Sequence, residues 1–110
     1  MHTPTIKYIV DTVAEYYHIS SDSLLYGNRE RKYSEPRHIV AYLLHCLGMS
    51  YPAIAKLFHK KSHRTIIYAV NKVKDWRTTP VLNRDANRCI DYVLDYPSKI
   101  KVNYIKCTIE

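Results

Sequence analysis

The chain of 110 residues contains two glycines, Gly27 and Gly48. They lie 21 positions apart and neither is followed by Lys, so there is no Gly-x4-Gly-Lys-Ser/Thr phosphate loop and ATP binding through a P-loop is excluded. Cysteine is scarce as well. Cys46, Cys89 and Cys107 include no CxxC pair, and an odd count without close spacing predicts free thiols in a reducing compartment. No apolar run approaches the ~20 residues needed to cross a bilayer. The N-terminal stretch MHTPTIKYIVDTV lacks the charged-then-apolar order of a secretory signal. These absences predict a cytoplasmic protein with no membrane partner. No paired carboxylates or His-carboxylate cluster suggests metal-assisted chemistry, so neither an enzyme nor a cofactor is expected. Phe and Trp occur once each, against 11 tyrosines. Tyrosine serves as often at amphipathic core edges as at binding surfaces, so the excess decides nothing alone.

What is present is positive charge, and it is concentrated. Lys and Arg number 17 against 10 Asp and Glu, a formal net charge of +7, and the sequence pI is near 9.4. Residues 56–77 hold Lys56, Lys60, Lys61, Arg64, Lys72, Lys74 and Arg77 against Asp75 alone; seven bases less one acid leave +6. A second basic stretch comprises Arg29, Arg31, Lys32 and Arg37 against Glu30 and Glu35. Such clustering points to a polyanionic partner.

The length suits one unit of roughly 100–150 residues. Hydrophobic spacing predicts an all-α, compact multi-helix domain with a possible short C-terminal strand or extension. Residues 1–79 carry the recognisable pattern; 80–110 are a further helix and tail expected to pack on the same domain. Thr3 and Pro4 predict a helix start, followed by an apolar stripe at Ile6, Ile9, Val10, Val13, Ala14 and Tyr17. A short helix over 21–26 stops at Gly27, and Asn28–Tyr33 reads as a polar loop. Ser34 is expected to cap a helix with Ile39, Val40, Leu43, Leu44 and Leu47 on one face, ended by Gly48. Ser50 is expected to cap the next, which covers 51–58. After a short polar connection at 59–61, Ser62 is expected to cap a helix running to about Trp76, with Ile66, Ala69, Val70, Val73 and Trp76 inward. Residues 77–80 break the pattern. A last helix is predicted from about Asn83 to Asp95, and the alternation at Ile100, Val102 and Tyr104 suggests a strand.

A short helix, a tight turn and a longer basic helix make a helix-turn-helix, whose second member lies in the DNA major groove. Ser62, His63, Arg64 and Thr65 open that member, where side chains reach base edges. Arg64 has the donor fork that matches guanine. Ile67, Tyr68 and Lys72 continue along the helix, Ser50, Lys60 and Lys61 flank the turn, and Arg31, Lys32, Arg37 and His38 extend the basic surface.

In these segments the chain resembles the C-terminal DNA-binding domain of the bacterial replication initiator DnaA, over about Ile6 to Val73. The resemblance is carried by VAEYYHISSDSLL at 13–25, NRERKYSEPRHIVAYLL at 28–44, SYPAIAKLF at 50–58 and KKSHRTIIYAVNKV at 60–73. It implies that Arg29 enters the minor groove, that Arg37 of the Pro36-Arg37 pair contacts phosphate, and that His63 and Thr65 match the signature His and second Thr. The signature Gly-Gly-Arg is His59-Lys60-Lys61 here, its acidic base-reader is Ser62 and its first Thr is Arg64. An acid accepts from cytosine whereas arginine seeks guanine, so the resemblance carries the fold and the docking mode rather than the family's DNA sequence. It implies double-stranded DNA as partner, one unit per site, and a role in replication initiation or its regulation.

Three other readings were weighed. Cys46, His59 and His63 fall short of the four ligands of a zinc site. His18, His38 and His45 are lone histidines without the partners of a hydrolase. An RNA-binding or protein-interaction module is the stronger rival, with Tyr33, Tyr42, Tyr51 and Tyr68 as possible base-stacking platforms.

Overall fold

The computed structural model describes residues 3–25, 31–59 and 62–95. Among them every regular element is helical: α1 (Thr3–Tyr16), α2 (Ser21–Leu25), α3 (Ser34–Cys46), α4 (Tyr51–Leu57), α5 (Arg64–Thr78) and α6 (Arg84–Asp95). Single 3-10 turns lie at Arg31–Tyr33 and Pro80–Leu82. The fold is therefore all-α, as the spacing predicted. The strand expected after Lys99 and the stop at Gly27 lie outside the described residues.

Helix α3 is the centre of the molecule. Ile39, Val40, Leu43 and Leu44 are fully buried, and Ala41 and Tyr42 between them are buried too. The single apolar face expected from the sequence is thus an underestimate. α3 packs most extensively on α5 and also meets α1, α4 and α6, so its whole middle is enclosed. The inward stripes of the other helices appear where the period placed them: Ile9, Val10, Val13 and Ala14 on α1, Ile66, Ala69, Val70, Val73 and Trp76 on α5, and Ala86, Cys89, Ile90 and Val93 on α6.

Helix ends decide how these elements meet. Past α3 the chain turns at Gly48, with φ at +104°. The Gly48 N–H donates to the His45 carbonyl at 2.9 Å and that of Met49 to Leu44 at 3.2 Å. A left-handed residue is needed to return two amides to the last turn of a helix, which is why glycine stands there. Ser50 then caps α4, its hydroxyl accepting from the Ala53 N–H at 3.3 Å. Two expected caps are corrected. Ser34 is the first residue of α3 rather than its cap; the capping position is Tyr33, with no side-chain bond, because the preceding 3-10 turn already feeds the helix. Likewise the cap position of α5 is His63, one residue later than the expected Ser62, and the helix opens at Arg64.

α6 is fastened by polar groups as well as by its apolar face. Asn83 caps it, accepting from the Ala86 N–H at 3.0 Å, and its amide donates to Glu35 Oε1 at 2.8 Å. Glu35 Oε2 accepts from the Tyr17 hydroxyl at 2.6 Å, while the Tyr8 hydroxyl donates to the Val93 carbonyl at 2.9 Å. Glu35 thereby joins the start of α3 to both terminal helices. Cys89 is a free, fully buried thiol.

Candidate nucleic-acid interface

The expected helix-turn-helix is α4 and α5. The turn begins at Phe58, which is buried, and passes through His59 at φ +59°. Only glycine, and less readily Asn, Asp or His, adopts that left-handed backbone. The family signature recognised in the sequence has glycine at this position, and the backbone supplies the reason.

Beyond the turn, Ser62, His63, Arg64 and Thr65 are all exposed. The Ser62 hydroxyl accepts from the Arg64 N–H at 3.2 Å, so it holds one of the amides at the helix opening. His63 makes no side-chain capping bond, and the first turn of α5 contains no acid. Early amides of a helix lack carbonyl partners within the helix and carry partial positive charge, a favourable setting for an anion. Arg64 has no side-chain hydrogen bond or ion pair among the described residues, leaving its guanidinium available.

Along the flank of α5, Tyr68 is exposed. The Lys72 ammonium lies 5.6 Å from the centre of its ring, and His38 meets the ring edge-on at 5.8 Å. His38 is also 6.3 Å from the Trp76 ring. Ser34, Glu35, His38, Lys72 and Trp76 line a cleft of about 350 Å³. Burial lowers the pKa of His38 below the usual histidine value; Lys72 adds to this and Glu35 opposes it. Ile67 is half-buried beside this row.

The basic stretch before α3 is partly committed to the fold. Arg37 Nε donates to the Leu24 carbonyl at 2.7 Å and Nη2 to that of Ser23 at 3.0 Å. The Tyr33 ring, itself buried, has Lys32 Nζ at 5.3 Å and Arg37 Cζ at 5.6 Å from its centre. Arg31 begins the 3-10 turn. Arg29, Lys60 and Lys61 lie outside the described residues.

The rival platforms fare unequally. Tyr33 and Tyr42 are buried, and Tyr51 is stacked on His45 at 4.5 Å, leaving Tyr68 exposed. Residues that the sequence did not single out are Glu35, Asn83 and Asn87, which support the surface from behind. The bonds that tie them to other elements reach 11 to 48 residues along the chain, a separation that leaves no local pattern. Among the described residues no helix is long and apolar enough to span a membrane.

A family model described as the bacterial DnaA protein helix-turn-helix matches residues 6–73. Chromosomal replication initiator protein DnaA of Lactococcus lactis subsp. cremoris is 43% identical over 72 residues, covering 64% of this chain and 16% of that protein. The protein of the same name from Magnetococcus marinus is 41% identical over 80 residues, 71% of this chain and 18% of its own length. The one from Synechococcus sp. is 39% identical over 70 residues, 63% and 15% respectively. The chain thus matches less than a fifth of the length of these curated relatives.

Proposed function

Because the chain belongs to the bacterial DnaA helix-turn-helix family, we propose that it binds double-stranded DNA and catalyses no reaction, with the start of α5 in the major groove. Arg64 reads a guanine, His63 and Thr65 contact base edges or phosphate, and Lys60, Lys61 and Lys72 neutralise the backbone. Arg29 enters an adjacent A/T-rich minor groove, where a narrow, strongly negative groove favours arginine. Residues 80–110 form a support on the same domain, and one copy occupies one site. The setting is replication initiation or its regulation, in the cytoplasm with the chromosome. These 110 residues contain no P-loop and are not expected to bind ATP through one.

The observation that carries this reading is the opening of α5: exposed, free of acids, and equipped with an uncommitted guanidinium. RNA reading by stacking has less support, because Tyr33 and Tyr42 are buried and Tyr51 is already stacked.

Titrating the protein with a duplex and with single-stranded RNA of the same sequence, over a range of salt, tests the proposal. With about 5 phosphate contacts, log K for the duplex falls against log salt with a slope near −4 to −5. A flat response, or tighter binding to the RNA strand, overturns it. Selection of duplexes from a random pool then reads the preferred sequence. Arg29→Ala weakens sites with an A/T run more than G/C-flanked ones.

A further inference from the structure

The outward face of α5 carries one large ring. Among the described residues four large apolar side chains are exposed: Tyr68, Val81, Leu82 and Tyr92. Val81 and Leu82 lie in the 3-10 turn past α5, and Tyr92 lies on α6 with its ring 5.6 Å from that of Tyr16. Tyr68, 58% exposed, is the one on the second helix of the helix-turn-helix, one turn after Arg64. A solitary exposed tyrosine is ordinary; what distinguishes this one is its support. The His38 ring meets it edge-on at 5.8 Å and itself lies 6.3 Å from the ring of Trp76, a core residue. The Lys72 ammonium lies 5.6 Å from the Tyr68 ring centre. Three rings therefore run from the core to the surface, and contacts of this kind favour a fixed orientation. Both supports act on the ring of Tyr68 rather than on its hydroxyl.

We propose that Tyr68 is a specificity-determining residue whose ring reads the 5-methyl group of one thymine in the major groove. This rests on the reading of the chain as a duplex-DNA binder with α5 in that groove. Base edges there present hydrogen-bonding groups, and the thymine methyl is the feature that apolar side chains contact. Tyr68 follows Arg64 by four residues, which puts both on one helical face and roughly 6 Å apart along the axis. A helix that brings Arg64 to base edges carries the ring into the same groove. A ring already held by His38 and Lys72 has little freedom left to lose on meeting the methyl. The competing roles differ in chemistry. A phosphate contact through Tyr68 needs its hydroxyl, and stacking needs an unpaired base. A methyl contact needs neither.

The test starts from the duplex recovered by selection from a random pool. Each thymine in turn is replaced by uracil, which pairs in the same way and lacks only the methyl group. Wild type, Tyr68→Phe and Tyr68→Ala are titrated with this series, with the unmodified duplex at several salt concentrations, and with its separate single strands. Tyr68 is exposed, so both variants are expected to fold as wild type does. For methyl reading, uracil at one position weakens wild type and Tyr68→Phe about fourfold, the worth of burying one methyl-sized group. Tyr68→Ala binds the thymine duplex at least as weakly as wild type binds the uracil one. Uracil at that position costs the Ala variant nothing further, because coupled contacts are not additive. The salt slope of Tyr68→Phe stays as in wild type. The proposal is overturned if Tyr68→Phe loses as much as Tyr68→Ala, which makes the hydroxyl the contact. It is equally overturned if uracil affects wild type and Tyr68→Ala alike at every position, or if the loss in Tyr68→Ala falls on the single strands instead of the duplex. In those cases wild type still binds duplex DNA and the function reading stands. Wild type that binds no duplex sinks the function reading and methyl reading with it.

Discussion

The two ends of α5 carry arginines with opposite fates. At its far end Arg77 is mostly buried and Nη1 donates to Asn87 Oδ1 at 3.0 Å and to Asp91 Oδ1 at 3.2 Å. Asn87 in turn donates to the Trp76 carbonyl at 2.9 Å, and Trp76 is 8% exposed. At its near end Arg64 is exposed, beside His63 and Thr65, with no acid in the turn. The helix dipole sharpens the contrast. Cations are favoured at the C-terminal end of a helix and disfavoured at the N-terminal end by about 0.3–1 kcal/mol each. Arg77 stands where charge stabilises the fold; Arg64 stands where it opposes it. Among the described residues no acid neutralises Arg64 at this end, which supports the anion-facing role proposed for it.

The largest expected effect tests the structural end. Trp76→Ala removes a buried aromatic whose ring lies 6.3 Å from His38 of α3, and truncations of this kind cost about 3 kcal/mol or more. Urea denaturation reads the loss, and the affinity of the folded fraction for DNA is unchanged. A loss below about 1 kcal/mol would mean that the end of α5 is not the anchor it looks to be. Arg64→Ala is the counterpart and reverses the pattern. Affinity for the preferred duplex falls by about 1–3 kcal/mol, with relaxed choice at one base position. Stability stays within about 0.5 kcal/mol of wild type or rises slightly as the charge leaves the helix start. Arg64→Lys retains much of the affinity and loses discrimination, because an ammonium has no planar fork. Uniform weakening on all sequences would make Arg64 a phosphate contact.

The contrast also shows what a sequence displays and what it hides. The exposed end was legible because its signals are local. Ser62 to Thr65 follow a short apolar helix and a turn, within a run of bases. The core stripes were legible for the same reason, since a 3.6-residue period is written in neighbouring positions. The committed residues were not. Glu35 meets Tyr17 and Asn83, 18 and 48 positions away, and nothing near Arg37 reveals that its guanidinium is turned to Ser23 and Leu24. The expected cap at Ser34 is instead the first residue of α3, because a 3-10 turn that joins directly to a helix has no local signature in the sequence.

A smaller effect tests the network around Arg77. Arg77→Ala leaves Asn87 and Asp91 without a donor, and a partly buried bond of this kind is worth about 1 kcal/mol. Asp91 is well exposed, so most of the loss comes from the Asn87 contact, and Asp91→Ala alone costs much less. Urea denaturation of both variants and of the double orders these contributions. If Asp91→Ala matched Arg77→Ala, the ion pair rather than the amide network would be holding α6.

The smallest effect probes His38, which touches α5 between its two ends, through Tyr68 and Trp76. The groups facing it are Glu35 and Arg37 of α3 and Lys72 of α5. Burial foremost, then Lys72, lowers its pKa below the ordinary value of 6.5 in the folded protein. The unfolded chain therefore binds a proton at His38 more readily than the folded one, and stability rises with pH where that difference operates. The contribution is complete above 6.5 and is lost as pH falls towards the lowered folded value. Denaturation midpoints at pH 7.5 and 5.5 for wild type and His38→Gln measure it, these pH values lying about one unit either side of the ordinary histidine pKa. The variant has no imidazole to protonate, so its midpoint falls less between the two conditions. Asp11, whose pKa is lowered mainly by the Ser21 hydroxyl, acts only at more acidic pH and affects both proteins alike. Equal falls in wild type and variant would show that protons at His38 do not reach the packing of α3 on α5.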